Sequence, residues 1–141
     1  MQALSQTLPT SQPPRVIGNI SEIIVVSGDN NNTQASLTFA MLAHLSHQHK
    51  SQAHLGQWLT WICPVAIGKD ALQQFNFDLR GLRILQPKSE SEIPHLMQKA
   101  LAAGNSHTVV AHCNGINHKL MPWLEKTAHQ HHCNGLIIRP Q

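Results

Sequence analysis

Ile20-Ser21-Glu22-Ile23-Ile24-Val25-Val26 runs into Ser27-Gly28-Asp29-Asn30-Asn31-Asn32-Thr33, and the join between them decides how the chain is read. The first segment is β-branched and apolar, the pattern of a buried parallel strand. A long apolar helical pattern follows the second. Strand, turn and helix in this order open many nucleotide-binding α/β domains. A phosphate-holding turn here needs glycines for close backbone approach and a lysine for the anion's charge. This turn has one glycine, an aspartate and no lysine. The expectation is an α/β scaffold that binds a partner and does not turn over a nucleotide.

Outward from that join, strand one spans 20–27 and a helix over 33–48 starts at Thr33 as N-cap. Leu37, Ala40, Met41, Leu42 and Leu45 form its expected apolar face. Trp58-Leu59-Thr60-Trp61-Ile62-Cys63 reads as a second strand covered on both faces and stopped by Pro64. A short helix over 66–76 precedes strand three, Leu82-Arg83-Ile84-Leu85, which Gly81 and Pro87 bracket. Helix three is well punctuated: Ser89 and Ser91 before Glu92, Pro94 in the first turn, and Gly104 at C′. Its inner face is Ile93, Leu96, Met97, Ala100 and Leu101. Thr108–Ala111 is strand four. A helix over 119–130 turns Leu120, Trp123, Leu124 and Ala128 inward, and Gly135–Ile138 is strand five. The alternation implies an α/β fold, a mainly parallel sheet of about five strands with helices on both faces.

Residues 1–17 are rich in Gln, Ser, Thr and Pro, too polar to bury a core, and read as a disordered N-terminal tail. Residues 18–141 then form a single domain, large enough for a hydrophobic core. Charged residues make up 12% of the chain and the formal charge is +3, with no run of Lys or Arg. A phosphate backbone wants a basic stripe, so nucleic acid is not an expected partner. Eleven histidines make the charge sensitive to pH. Cys63, Cys113 and Cys133 are odd in number and form no CxxC, which suits a reducing compartment. The first sixteen residues lack the basic and apolar regions of a signal peptide, and no apolar run spans a bilayer. The expectation is a soluble, cytoplasmic protein with no membrane partner.

His129-Gln130-His131-His132-Cys133 invites a zinc reading, since His129, His132 and Cys133 could converge on one face. No second cluster completes four ligands, so no metal is expected and the histidines read as surface polar groups. Cys113 beside His112 and His118 could pair a nucleophile with a base just past a strand end. No orienting third group accompanies it, and a buried free thiol is the plainer account. The carboxylates Asp29, Asp70, Asp78, Glu22, Glu90, Glu92 and Glu125 offer no close pair for acid–base work. The chain is therefore not expected to be an enzyme, and no cofactor is expected. The alternatives are a RecA-like nucleotide-binding regulator and a thiol- or metal-dependent enzyme. Trp58 and Trp61 lie on opposite faces of one strand, and one of them is expected near a helix edge where partner anchors occur.

Gly18-Asn19-Ile20-Ser21-Glu22-Ile23-Ile24 resembles the opening strand of the SulA family of SOS-induced bacterial cell-division inhibitors. Trp58-Leu59-Thr60-Trp61-Ile62-Cys63-Pro64 is similar to that family's Trp-x-x-Trp-Leu-Thr-Pro strand. Lys99-Ala100-Leu101, Gly104-Asn105 and Val109-Val110 resemble its third helix and fourth strand. Gly135-Leu136-Ile137-Ile138-Arg139-Pro140 is similar to its Gly-Phe-Ile-Met-Arg-Pro ending. The resemblance is collinear over residues 18–140. It implies a RecA-like fold without a P-loop, often dimeric, that binds FtsZ and blocks its polymerisation and GTPase activity during the SOS response. It also implies partner contact at Gln57, Trp61, Ile62, Leu72 and Arg83. Gln57 stands where the family has a basic residue, Leu72 near a family tryptophan, and Leu82, with Arg83 beside it, near a family lysine.

Overall fold

The structure is a computed structural model that describes residues 18–25 and 31–140, with side chains described except at 31–36. The expected tail over 1–17 and the turn residues 27–30, with Gly28 and Asp29, lie outside the described residues. The elements in order are β1 (Ile20–Val25), α1 (Asn31–Ser46), β2 (Trp58–Ile62), α2 (Lys69–Gln74), β3 (Leu82–Leu85), α3 (Ile93–Ala102), β4 (Ser106–His112), α4 (Met121–Gln130) and β5 (Asn134–Pro140). The strands form one sheet in the order β1-β5-β4-β2-β3, every neighbouring pair parallel.

The crossovers β1 to β2 and β2 to β3 advance one way across the sheet, and β3 to β4 and β4 to β5 advance the other way. Right-handed connections then place α1 and α2 on one face and α3 and α4 on the other. The core divides accordingly. Leu42, Leu59, Trp61, Leu72, Phe77 and Val110 pack under α1 and α2. Ile62, Ile93, Met97, Leu101, Val109, Leu124 and Ile137 pack under α3 and α4. The crossover direction changes between β2 and β4, so the carboxyl ends of those two strands form the switch point where open α/β sheets bind ligands.

The punctuation of α3 behaves as its sequence implies. Pro94 lies in the first turn, and Gly104 adopts φ +77° just past the last turn, a conformation that costs a glycine little. Glu92 Oε1 accepts from Lys88 N at 3.1 Å, closing the entry to the helix. Ile93, Met97, Ala100 and Leu101 are buried, and Leu96 packs at their margin.

Three expectations change. Among the described residues β1 is an edge strand bonded only to β5, and residues 21–24 are exposed although the segment reads as buried. Ile23, Ile24 and Val25 line an open apolar hollow of ≈180 Å³ with Leu37 and Thr38 of α1. Local apolarity cannot tell whether a strand has one neighbour or two. α1 begins at Asn31, so Thr33 is its third residue rather than its cap. Its inward stripe runs through Phe39, Leu42, Ala43 and Ser46, three and four residues apart, which leaves Leu37 67% exposed. On α4 the stripe is Leu124, Thr127 and Ala128. Trp123, one position off it, is 36% exposed and meets His95 of α3 edge-on, ring centroids 5.6 Å apart.

Candidate functional site

The first candidate lies at the switch point. Trp61, near the end of β2, donates its indole Nε1–H to His112 Nδ1, the last residue of β4, at 2.7 Å. The bond runs across the β2–β4 pairing, and it fixes the imidazole as neutral with its proton on Nε2. Burial lowers the pKa of His112 further below its ordinary value. The Trp61 ring stacks on Phe77, centroids 5.8 Å apart and 8° from parallel, and Phe39 meets it edge-on at 5.6 Å. The indole is fully buried.

Cys63 and Cys113 follow the ends of these two strands, and both are buried, on opposite faces of the sheet. Burial pushes both thiols above their ordinary pKa, which suppresses the thiolate a nucleophile needs. His112 spends its Nδ1 lone pair on Trp61, so it is not a base for Cys113 in this arrangement. His118 is exposed. The zinc reading fares similarly. His129, His131 and His132 are exposed, while Cys133 is buried with its thiol pushed up to about 12 by desolvation. Among the described residues no three His, Cys, Asp or Glu side chains gather as a metal cradle.

The second candidate lies at the opposite, amino-terminal end of β2, β3 and β4. Asp78, just before β3, is buried, and several basic groups converge on its carboxylate. His49 Nε2 sits at 2.8 Å, Lys50 Nζ at 3.1 Å, Arg80 Nε at 3.3 Å and His47 Nδ1 at 3.8 Å. The Arg80 backbone N–H donates to Oδ1. The Asp78 backbone N–H in turn donates to Ser46 Oγ at 2.8 Å, tying its backbone to the end of α1. The His49 hydrogen bond, opposed by desolvation and aided by Lys50 and Arg80, holds the carboxyl well below the usual range. Gly81 makes room for this arrangement. A Cβ there would stand 2.2 Å from His49 Cδ2 and from the Ser46 carbonyl oxygen.

His107 is the neighbouring feature. Trp58 pairs with Ser106 and Leu59 with Thr108, so His107 is the extra residue of a β-bulge, a device that re-aims a side chain. It is buried, its ring centroid lies 5.1 Å from that of His54, and its Nδ1 shares a 2.9 Å hydrogen bond with Thr108 Oγ1. Desolvation first, then His54 and His49, push its pKa down to about 4.

The residues singled out for partner contact divide by burial. Trp61 and Ile62 are fully buried on opposite faces of β2, and Leu72 is buried on the inner side of α2. These three are core residues. Gln57 and Arg83 reach the surface at the amino end of the sheet. Gln57 shares a 3.3 Å hydrogen bond with His54 Nδ1. Arg83 donates through Nη2 to Thr60 Oγ1 at 3.1 Å and to Asn105 Oδ1 at 3.2 Å. The structure also assembles what the sequence does not announce: Asp78 and His49 are 29 residues apart, and His107 owes its position to a register shift.

Among the described residues no helix is long and apolar enough to cross a membrane. No protein-family model matches the sequence, and no curated protein matches it. Among solved structures the chain is similar in fold to SulA from Pseudomonas aeruginosa, with a TM-score of 0.73 and 24% identity over 86% of this chain and 98% of that one.

Proposed function

We propose that this chain is a non-enzymatic inhibitor of bacterial cell division that binds FtsZ and blocks its polymerisation and GTPase activity during the SOS response. The observation that carries the proposal is the fold likeness to SulA, which spans nearly the whole of that chain. The chemistry agrees with it. The thiols are buried in their protonated form, and the histidine at the switch point is tied to an indole. A rigid domain of this kind acts by occlusion, covering a polymer end with a few desolvated side chains. Gln57 and Arg83 are the contact residues in this reading. Trp61, Ile62 and Leu72 act from beneath, by holding β2 and α2 in place. The protein works in the cytoplasm as a homodimer, which light scattering on the purified chain checks by mass.

The test is a titration of the full chain into FtsZ polymerising with GTP. GTP hydrolysis and sedimentable polymer should fall in proportion to the chain added and vanish near equimolar amounts. Undiminished hydrolysis and polymer at excess chain refute the proposal. A calorimetric titration with ATP separates the RecA-like alternative, which requires micromolar affinity.

A further inference from the structure

The amino-terminal edge of β2, β3 and β4 collects histidines from several parts of the chain. His47 and the turn Gln48–Lys50 follow α1, Gln52–His54 precedes β2, and Leu79–Gly81 leads into β3. All are drawn together by Asp78 or stand beside His107. One buried carboxylate does not balance what faces it. Against its one negative charge, Lys50 and Arg80 leave one surplus permanent positive charge. Asp78 is buried while Lys50 and Arg80 are exposed, so the surplus faces solvent. Arg83, without a carboxylate partner among the described residues, adds to it. Leu55 and Leu79 stand exposed on the same edge.

We infer that this edge is a docking surface for a carboxylate-rich protein surface, gripped by the permanent charges of Lys50, Arg80 and Arg83. The inference rests on the reading above that the chain works by binding a protein. Three permanent cations interspersed with exposed leucines suit an acidic protein face better than a phosphate backbone, which rewards a continuous basic stripe. The groups that face His49 and His47 are Asp78 and Arg80 before β3, Lys50 on their own turn, and His107 on β4. His54 stands against His107, and His44 in the last turn of α1 bonds to Gln48. His107 is held neutral by burial near neutral pH and adds no charge there.

The experiment immobilises the full chain and measures binding of purified FtsZ, poly-L-glutamate and an oligodeoxynucleotide at low and at high salt, at one fixed pH. FtsZ and poly-L-glutamate should both bind about fivefold tighter at low salt, the effect of one or two screened charge pairs. Lys50→Gln with Arg80→Gln leaves Asp78 its His49 bond and should weaken both interactions at low salt. FtsZ binding that ignores both salt and the Lys50/Arg80 pair overturns the inference and leaves the proposed function standing. Salt-dependent binding to poly-L-glutamate without any binding to FtsZ keeps the surface and removes that partner. Preference for the oligodeoxynucleotide, or failure of every probe to bind, overturns the inference.

Discussion

Acidification should destabilise this protein through a histidine before the Asp78 carboxylate gives up its share. His107 sits buried in the β4 bulge with its pKa pushed from 6.5 to about 4, desolvation being the main cause. Its folded-state value lies below the unfolded one, so the unfolded chain takes up the proton first. The stability it contributes is therefore whole above about pH 6.5 and drains as the pH falls towards 4. At pH 4.5 the loss comes to about 2.5 kcal/mol, a large share of the ~5–15 kcal/mol by which a domain is stable. Asp78 does not confuse this window. Its lowered carboxyl gives up stability only as the pH falls below the ordinary 3.8. His112, also lowered, works in the same direction as His107, so a variant is needed to separate them. His107→Leu removes the titrating ring, and His107→Gln does so while keeping a polar group. Urea unfolding followed by tryptophan fluorescence at pH 7.5, 6.0 and 4.5 supplies the measurement. The wild-type chain should lose about 2.5 kcal/mol more than either variant between the outer two points. Equal losses in wild type and both variants would refute the reasoning, because burial of a neutral imidazole would then carry no cost.

Gly81→Ala drives a Cβ to within 2.2 Å of His49 and the Ser46 carbonyl, and should cost about 2 kcal/mol or more in chemical denaturation; a shift below about 0.5 kcal/mol would contradict the packing described. Trp61→Phe removes the bond to His112 while keeping a ring, and should cost about 1–2 kcal/mol, whereas Trp61→Ala should cost ~3–5 kcal/mol; equal costs would mean the hydrogen bond and the ring volume have been misjudged. Cys133, fully buried with its thiol pushed up to about 12, should resist a thiol reagent at pH 7.5 in the native protein and react at once in urea; fast native labelling would place it at the surface.

Much of the fold is legible in the chain because it is written locally. The apolar run at Trp58–Ile62 has the residues and stop of a covered parallel strand, Leu82–Leu85 is bracketed by Gly81 and Pro87, and both form. Pro94 and Gly104 bracket α3 through backbone preferences that need no tertiary partner. The alternation of strands and helices limits the layers to a parallel sheet between two helical faces. Strand order is a different kind of information. β1 reads as a buried strand but stands at the edge, because hydrophobicity reports burial of a segment on average and not the number of its neighbours. Trp61 reads equally as an anchor or as core, and the stacking on Phe77 together with the bond to His112 decides for core. Trp123 errs the other way, since one step around α4 moves a side chain about 100° and carries it from the core to the rim.

By itself the sequence determined which segments are strands and helices, where α3 is punctuated, and that the sheet is parallel, since these follow from propensities and periods within a dozen residues. Only the tertiary structure decided what meets at the two ends of the sheet. Asp78 finds His49 and His47 across the sheet's amino edge, and Trp61 finds His112 across β2 and β4. Such pairings depend on strand order and register, and a single bulge residue at His107 is enough to change which side chains face each other.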